Sequence, residues 1–134
     1  MSNIAPLIID KTAKTPQIIL DPANRNYEIS GRSLPENVVK TYEPVLNWID
    51  QNMGKITDSI VFVFRVDYLN SASAKMISLI LTKLEEFYKS GSNIEIKWYY
   101  NYDDDDIQSE GEIYAKLKKI PIHLIGIDDL DEED

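Results

Sequence analysis

The stretch SIVFVFRVDYLNSASAKMISLILTKLEEFYKS, residues 59–90, sets the architecture of the chain. Residues 60–64 form an apolar, β-branched and aromatic run without a polar interruption, which predicts a central strand covered on both faces. Residues 77–88 carry apolar side chains at helical spacing and predict an amphipathic helix. Residues 68–75 join the two elements at the carboxyl end of the strand, where open α/β sheets tend to bind ligands and partners.

Helical geometry separates the two serines of this junction. When the helix is wound at about 100° per residue, Ser71 shares a polar face with Lys75 and Ser78. Ser73 lies about 200° away from Ser71, in the middle of the apolar stripe. We therefore expect Ser71 to face solvent in the first turn and Ser73 to lie against the sheet. Only Ser71 would then be presented to a partner.

The acidity of the chain is local. The formal net charge is −9, yet residues 103–106 and residues 128–134 together hold ten of the 23 acidic residues. The other acidic residues nearly balance the 14 basic ones, so the sequence predicts no basic face for nucleic acid.

Composition also indicates where the protein works. No apolar run approaches the ~20 residues of a membrane span, the N-terminus lacks the pattern of a signal peptide, and the chain has no cysteine. We expect a cytoplasmic protein that binds no membrane. It should have one domain over residues 1–127 and an acidic, disordered tail over residues 128–134.

The N-terminal half predicts an edge hairpin followed by a helix. Residues 17–20 and 26–29 predict an antiparallel hairpin at the sheet edge, after an irregular lead-in. Ser33 and Glu36 form a capping-box pattern, with Pro35 in the first turn of the helix that it would start.

The C-terminal half continues the alternation of strands and helices. Residues 94–100 and 122–127 predict two strands, and residues 107–119 predict a helix between them that Pro121 ends. The four aspartates of residues 103–106 fall at the N-terminus of that helix, where acidic side chains complement the helix dipole.

The same acidic run is the one candidate for a metal site. An EF-hand loop needs an oxygen ligand and a glycine at the positions that Ile107 and Gln108 hold, so a calcium loop is excluded. A Mg²⁺ site on residues 103–106 stays open and defines a rival function, that of a small metal-binding protein. Helix capping is the simpler interpretation, so we predict no metal and no cofactor.

The sequence offers little material for catalysis. Its single histidine, His123, lies in an apolar strand, and there is no cysteine to form a Cys-His arrangement. The glycines are scattered singly, so there is no Gly-rich phosphate loop. We therefore predict a non-enzyme that acts through its surface.

The junction YxNSxSAK, residues 68–75, resembles the phosphorylation segment of the SiaC family of bacterial regulatory phosphoproteins, which are related in fold to the STAS anti-sigma-factor antagonists. Further stretches agree with this family in order and spacing, so that the resemblance spans nearly the whole chain. They are KTP at residues 14–16, ISGRSxPEN at residues 29–37 with PVLxW at residues 44–48, and WYY at residues 98–100 followed by residues 103–106 and Gly111-Glu112.

The resemblance implies an α/β fold of STAS type, a mixed sheet of four or five strands with helices mainly on one face. It also implies a phosphorylation-switched adaptor in cyclic di-GMP signalling. A histidine-kinase-like serine kinase would phosphorylate Ser71, and a metal-dependent serine/threonine phosphatase would reverse the reaction. The unphosphorylated protein would bind and activate a diguanylate cyclase.

Two departures from the family pattern bear on the partner. Ser71 stands where threonine is common, which keeps a hydroxyl that can be phosphorylated. Asn101 and Tyr102 stand where acidic residues are common, which opens the alternative of another client, such as an anti-sigma-factor system.

These arguments assign the functional residues to two surfaces. Ser71 is the expected phosphorylation site. The surface expected to bind the partner around it comprises Tyr68, Asn70, Ser71, Lys75 and Ser78. A second interaction surface comprises Pro35, Glu36, Asn37, Asp103, Asp104 and Asp105.

Overall fold

Strands and helices alternate along most of the chain. The structure, a computed structural model, describes residues 4–130, and within them it forms six strands and three α-helices. The strands are β1 (Leu7–Ile9), β2 (Gln17–Asp21), β3 (Asn26–Ser33), β4 (Ile60–Leu69), β5 (Ile94–Asn101) and β6 (Ile122–Ile127). The helices are α1 (Val38–Asn52), α2 (Ser71–Lys89) and α3 (Asp105–Leu117). None of these described helices is long and apolar enough to cross a membrane.

The strands lie in sequence order in one mixed sheet. β1, β2 and β3 pair antiparallel, whereas β3, β4, β5 and β6 pair parallel. Each parallel connection passes through one helix, so the carboxyl ends of β3 to β6 meet at one edge of the sheet. β4 lies between β3 and β5, which confirms the central position predicted for residues 60–64. The predicted α/β class is confirmed as well.

The three described helices pack on one face of the sheet. Alternate residues of β4, such as Phe62 and Phe64, are fully buried beneath them, whereas Val61 on the other face is 36% exposed. The prediction that β4 is covered on both faces is therefore wrong, because the helices cover only one. The helices complete the core with Tyr42, Val45, Ile49, Ile77, Ile80, Leu84, Ile107 and Tyr114.

A row of aromatic rings connects β4, β5 and α3 across this core. The ring centroids of Phe62 and Phe64 lie 5.2 Å apart, and those of Phe64 and Trp98 lie 5.5 Å apart. Trp98 meets Tyr114 of α3 edge-on at 5.4 Å, a geometry that aromatic pairs favour. The position of α3 is therefore fixed against the sheet by Trp98.

The sheet has one more strand than the four or five that we predicted. Part of the expected lead-in, Leu7–Ile9, forms β1 and pairs with β2. The hairpin of β2 and β3 forms as predicted, but β1 and not the hairpin lies at the edge. A three-residue apolar segment is too short to show strand alternation in the sequence.

The predicted capping box at Ser33 is not used. Ser33 ends β3 and is fully buried, and its hydroxyl bonds to other side chains. Asn37 caps α1 instead, where its side chain accepts a hydrogen bond from the N–H of Lys40 at 3.0 Å. A sequence pattern identifies residues that can cap a helix, but the tertiary partners of Ser33 decide otherwise.

The C-terminal part follows the prediction with small shifts. α3 ends at Leu117, before the predicted residue 119, and Pro121 lies beyond that end. Leu130 is buried, and its N–H donates to the side-chain oxygen of Asn101 at 2.7 Å. The start of the segment predicted as a disordered tail therefore packs against β5. Residues 131–134 of that segment lie outside the described residues.

Candidate functional site

Three loops meet at the carboxyl edge of the parallel strands. The loop after β3 begins beside the start of α2, because the N–H of Asn70 donates to the carbonyl of Ser33, the last residue of β3, at 3.1 Å. The segment before β2 joins them, because the N–H of Leu34 donates to the carbonyl of Lys14 at 2.9 Å. The loop after β5 leads into α3, whose first turn lies beside Ser71. Both predicted surfaces thus lie along this edge.

Ser71 is the first residue of α2 and is exposed. Asn70 caps the helix, because its side-chain oxygen accepts a hydrogen bond from the N–H of Ser73 at 2.8 Å. Ser73 is fully buried. The winding of the helix therefore presents Ser71 and hides Ser73, as we predicted.

A buried hydrogen-bond network holds Ser73 in place. The hydroxyl of Ser33 donates to that of Ser73 at 2.7 Å and lies 2.6 Å from the hydroxyl of Tyr42. All three side chains are 0% exposed, and they come from β3, α1 and α2. Burial raises the pKa of the Tyr42 hydroxyl, while its hydrogen bonds to the serines oppose part of the rise. Tyr42 therefore stays neutral and can serve the network as a donor.

A small cavity opens between Ser71 and α3. It has a volume of about 150 Å³, and the α3 residues that line it opposite Ser71 are Asp106, Ile107 and Glu110. Two acidic residues thus line the same small space as Ser71. A negative charge added to Ser71 would border the same cavity as these two acidic residues.

Glu110 also takes part in the contact between α2 and α3. The Tyr114 hydroxyl lies 2.5 Å from a carboxylate oxygen of Glu110 and 3.0 Å from the carbonyl of Ala74 in α2. Burial, and after it the neighbouring Glu110 carboxylate, raise the pKa of Tyr114, so the phenol remains a donor. This group of atoms joins α3 to the first turns of α2.

The other residues of the predicted partner surface take different positions. Lys75 is exposed one turn after Ser71, and Ser78 is half-buried two turns after it. Tyr68 is 45% exposed and alternates with Leu69 in β4, so its ring lies on the sheet face away from the helices. There the guanidinium carbon of Arg32 lies 5.4 Å from the centre of the Tyr68 ring. Tyr68 thus reaches the same edge as Ser71 from the opposite face.

The predicted residues Pro35, Glu36 and Asn37 line a largely apolar groove. The groove has a volume of about 460 Å³ and lies between β2 and the start of α1. Lys14 and Glu36 form an exposed ion pair at its rim, with an N–O distance of 3.7 Å. A volume of this size is typical of sites that accept part of a partner or a small ligand.

The acidic loop caps α3. The side chain of Asp104 accepts a hydrogen bond from the N–H of Ile107 at 3.1 Å, and Asp105 and Asp106 follow in the first turn. Asp103 is exposed just before the cap. Within residues 4–130, no three histidine or acidic side chains converge in a way that would hold a metal ion. Helix capping is the role that this geometry supports.

The single histidine lies away from Ser71. His123 stands on edge strand β6, and its Nε2 is 3.6 Å from a carboxylate oxygen of Glu95 on the neighbouring strand. Its side chain is 56% exposed. The histidine is therefore part of the exposed sheet surface.

Four residues of the site escaped the sequence analysis. Ser33 was assigned to a helix cap and Tyr42 was given no role in the site, whereas Ser33 bonds to both Ser73 and Tyr42. Asp106 was treated only as part of a capping run, and Glu110 was not singled out. The contacts of these residues depend on partners that are distant in the chain or on how α3 packs. No local sequence pattern could therefore have identified them.

Comparisons with known proteins assign the chain to a family. A sequence model of the family described as SiaC family regulatory phosphoprotein matches residues 9–127. An uncharacterised protein of Pseudomonas aeruginosa strain UCBPP-PA14 is 25% identical over 126 residues, 94% of this chain and 100% of the relative.

Solved structures also resemble the chain. One is the crystal structure of the diguanylate cyclase SiaD in complex with its activator SiaC from Pseudomonas aeruginosa. The matched chain has a TM-score of 0.84 and 25% identity over 90% of this chain and 99% of that one. SiaC of the same organism has a TM-score of 0.83 and 24% identity over 92% of this chain and 99% of its own.

The buried network yields a prediction about stability. Tyr42→Phe should lower the free energy of unfolding by about 1 kcal/mol, because the Ser33 hydroxyl loses a buried hydrogen bond without a change of shape. Urea denaturation followed by circular dichroism measures this. Tyr102→Phe is the matched control, since Tyr102 is 65% exposed and its variant should match the parent protein. Equal stability of the two variants would argue against the network.

Proposed function

This chain belongs to the SiaC family of regulatory phosphoproteins, and we propose that it is an adaptor switched by phosphorylation of Ser71. The observation that carries the proposal is the opposite exposure of two neighbouring serines. Ser71 is exposed at the start of α2, whereas the Ser73 hydroxyl is buried and bonded to Ser33. A kinase that must seat a hydroxyl in its own active site reaches Ser71 directly and Ser73 only after local unfolding.

The modification is a phosphoryl transfer. A serine kinase breaks the bond between the γ-phosphorus of ATP and the oxygen bridging to ADP, while the Ser71 oxygen bonds to that phosphorus. The hydroxyl proton leaves to a base of the kinase. A serine/threonine phosphatase reverses the modification with water and releases inorganic phosphate. The adaptor supplies only the hydroxyl, so it is not itself an enzyme.

The start of α2 is suited to carry a phosphate. The unpaired N–H groups and dipole of a helix N-terminus favour an anion, so α2 itself tolerates the added group. Phosphorylation would add about −1.5 to −2 charge at neutral pH. An effector that docks against Ser71 and Lys75 would then meet a strongly anionic surface.

We infer that the effector is a diguanylate cyclase and that the adaptor works in cytoplasmic cyclic di-GMP signalling. The likeness to SiaC, the activator of SiaD in the similar complex, supports this. The cyclase binds the unphosphorylated adaptor along the carboxyl edge of the sheet, around Tyr68, Asn70, Ser71, Lys75 and Ser78. The second surface comprises the groove at Pro35, Glu36 and Asn37 and the acidic loop with Asp103, Asp104 and Asp105.

One observation favours a second candidate client. Tyr102 is 65% exposed beside the acidic loop, where the family pattern commonly has an acidic residue. An aromatic side chain at that edge suits a different binding partner, such as an anti-sigma factor. Binding measured separately against each client distinguishes the two.

The first test is the identity of the modified residue. Protein incubated with its cognate kinase and ATP should carry one phosphate, on Ser71, by mass spectrometry of proteolytic fragments. Ser73→Ala should be phosphorylated to the same extent, and Ser71→Ala should remain unmodified. Phosphate on Ser73 or Thr82 with Ser71 bare would place the switch elsewhere.

The second test is effector binding. Ser71→Asp should weaken binding to the cyclase at least about tenfold, or about 1.4 kcal/mol, in isothermal titration calorimetry. Ser71→Ala should bind like the parent protein and stay bound in the presence of kinase and ATP. Ser71→Ala should unfold within about 0.5 kcal/mol of the parent protein, because Asn70 caps α2. Circular dichroism should show that Ser71→Asp is folded as well. Unweakened binding of Ser71→Asp would contradict the proposed switch if phosphorylated protein also bound normally.

A further inference from the structure

One side of the cavity beside Ser71 is formed by two acidic residues of α3, which we call its anionic wall. Asp106 and Glu110 of α3 line it, while the other lining residues besides Ser71 are Leu69, Asn70, Ala74 and Ile107, so none of them is basic. A phosphoryl group on Ser71 would enter or border a space of about 150 Å³ that these two acidic residues line. Like charges this close repel each other unless solvent or a cation screens them.

The two helices beside the cavity act on a phosphate in opposite ways. α2 carries the group at its N-terminus, where the helix dipole and free N–H groups favour it. α3 presents Asp106 and Glu110, which oppose it. Lys75 lies one turn along α2 and is exposed, but it does not line the cavity. Its ammonium can therefore neutralise part of the phosphate charge, but it does not lie between the phosphate and the two acidic residues.

Glu110 transmits this repulsion to the contact between the helices. Its carboxylate lies 2.5 Å from the Tyr114 hydroxyl, which is also 3.0 Å from the carbonyl of Ala74. A Glu110 side chain that moves away from a phosphate must release or carry along Tyr114. Tyr114 packs edge-on against Trp98, at 5.4 Å between ring centroids. The disturbance therefore reaches the sheet at Trp98.

Trp98 is bound to α3 closely enough to report its movement. Its indole N–H donates to the carbonyl of Ile107 in the first turn of α3 at 2.9 Å. Gly111 lies so close to the indole ring that an added Cβ would be 2.4 Å from Trp98 Cδ1. A shift of α3 must therefore change the environment of the indole N–H.

We propose that the carboxylates of Asp106 and Glu110 convert phosphorylation of Ser71 into a loosening of the contact between α2 and α3. The inference rests on the proposed function only in taking Ser71 as the modified residue. The acidic loop with Asp103 and Asp104 directly precedes α3. One phosphate thus alters the partner surface at Ser71 and the acidic surface across the cavity together.

The test uses the two tryptophans as probe and internal control. Phosphoserine is placed at position 71 during translation of the full chain, so the experiment needs neither kinase nor effector. In ¹⁵N-labelled protein, the indole N–H signal of Trp98 should shift or broaden relative to the unmodified protein. The indole N–H of Trp48 donates to the carbonyl of Ala5 at 2.9 Å, away from the cavity, and should stay in place.

Two matched charge variants identify the cause. In the phosphorylated protein, Asp106→Asn with Glu110→Gln should reduce the Trp98 shift to about half or less, because the wall is then neutral. Asp105→Asn with Glu112→Gln removes the same charge from the same helix at exposed positions outside the cavity, and should keep the full shift. If the first pair unfolds the protein, Glu110→Gln alone serves, since its amide oxygen can still accept from Tyr114.

An unmoved Trp98 signal in the phosphorylated protein would overturn the inference. The inference would also fail if the Trp98 shift were undiminished in Asp106→Asn with Glu110→Gln. It would fail as well if both variant pairs reduced the shift equally. If phosphorylated protein loses the effector while Trp98 stays in place, this inference fails and the proposed function stands. If Trp98 shifts as expected while the cognate kinase modifies another residue, the proposed function fails, and what stands is only that a phosphate on Ser71 loosens the contact between the helices.

Discussion

The hydroxyl of Ser33 binds Ser73 in the core and so helps to hold the start of α2 in one orientation. It donates to Ser73 at 2.7 Å and lies 2.6 Å from Tyr42, in a core where none of the three side chains is exposed. A buried hydroxyl without a partner is costly, so the network favours one arrangement of the β3, α1 and α2 elements. With Ser73 held inward, the helical repeat directs Ser71 outward. These buried hydrogen bonds thus reinforce the orientation that the apolar face of α2, with Ile77, Ile80 and Leu84, already favours.

The parallel part of the sheet brings the exposed Ser71 close to the other segments predicted to bind a partner. Because β3 to β6 end at one edge, the loop with Pro35, the start of α2 and the acidic loop before α3 are neighbours there. A phosphate on Ser71 joins an edge that already holds Asp106 and Glu110. Its charge can act on a docking partner directly and on α3 within the molecule.

Periodicity in the sequence was sufficient to predict the central strand, the helix after it and the opposite exposure of Ser71 and Ser73. These features depend on local spacing, which the sequence displays directly. The patterns failed where long-range partners decide the outcome. Ser33 matches a helix cap but bonds to Ser73, forty residues away in the chain. Glu110 faces the cavity only because α3 packs closely on Trp98 through Gly111.

Amide hydrogen exchange within the first turn of α2 tests most directly whether this turn is held in the one orientation that leaves only Ser71 accessible. The N–H groups of Ser71 and Ala72 begin the helix and should exchange fast. Those of Ser73 and Ala74 donate to the side chain and the carbonyl of Asn70, and should exchange about 100-fold more slowly. If all four amides exchange equally fast, the turn is frayed, both serines are accessible, and the structural basis for choosing Ser71 is lost.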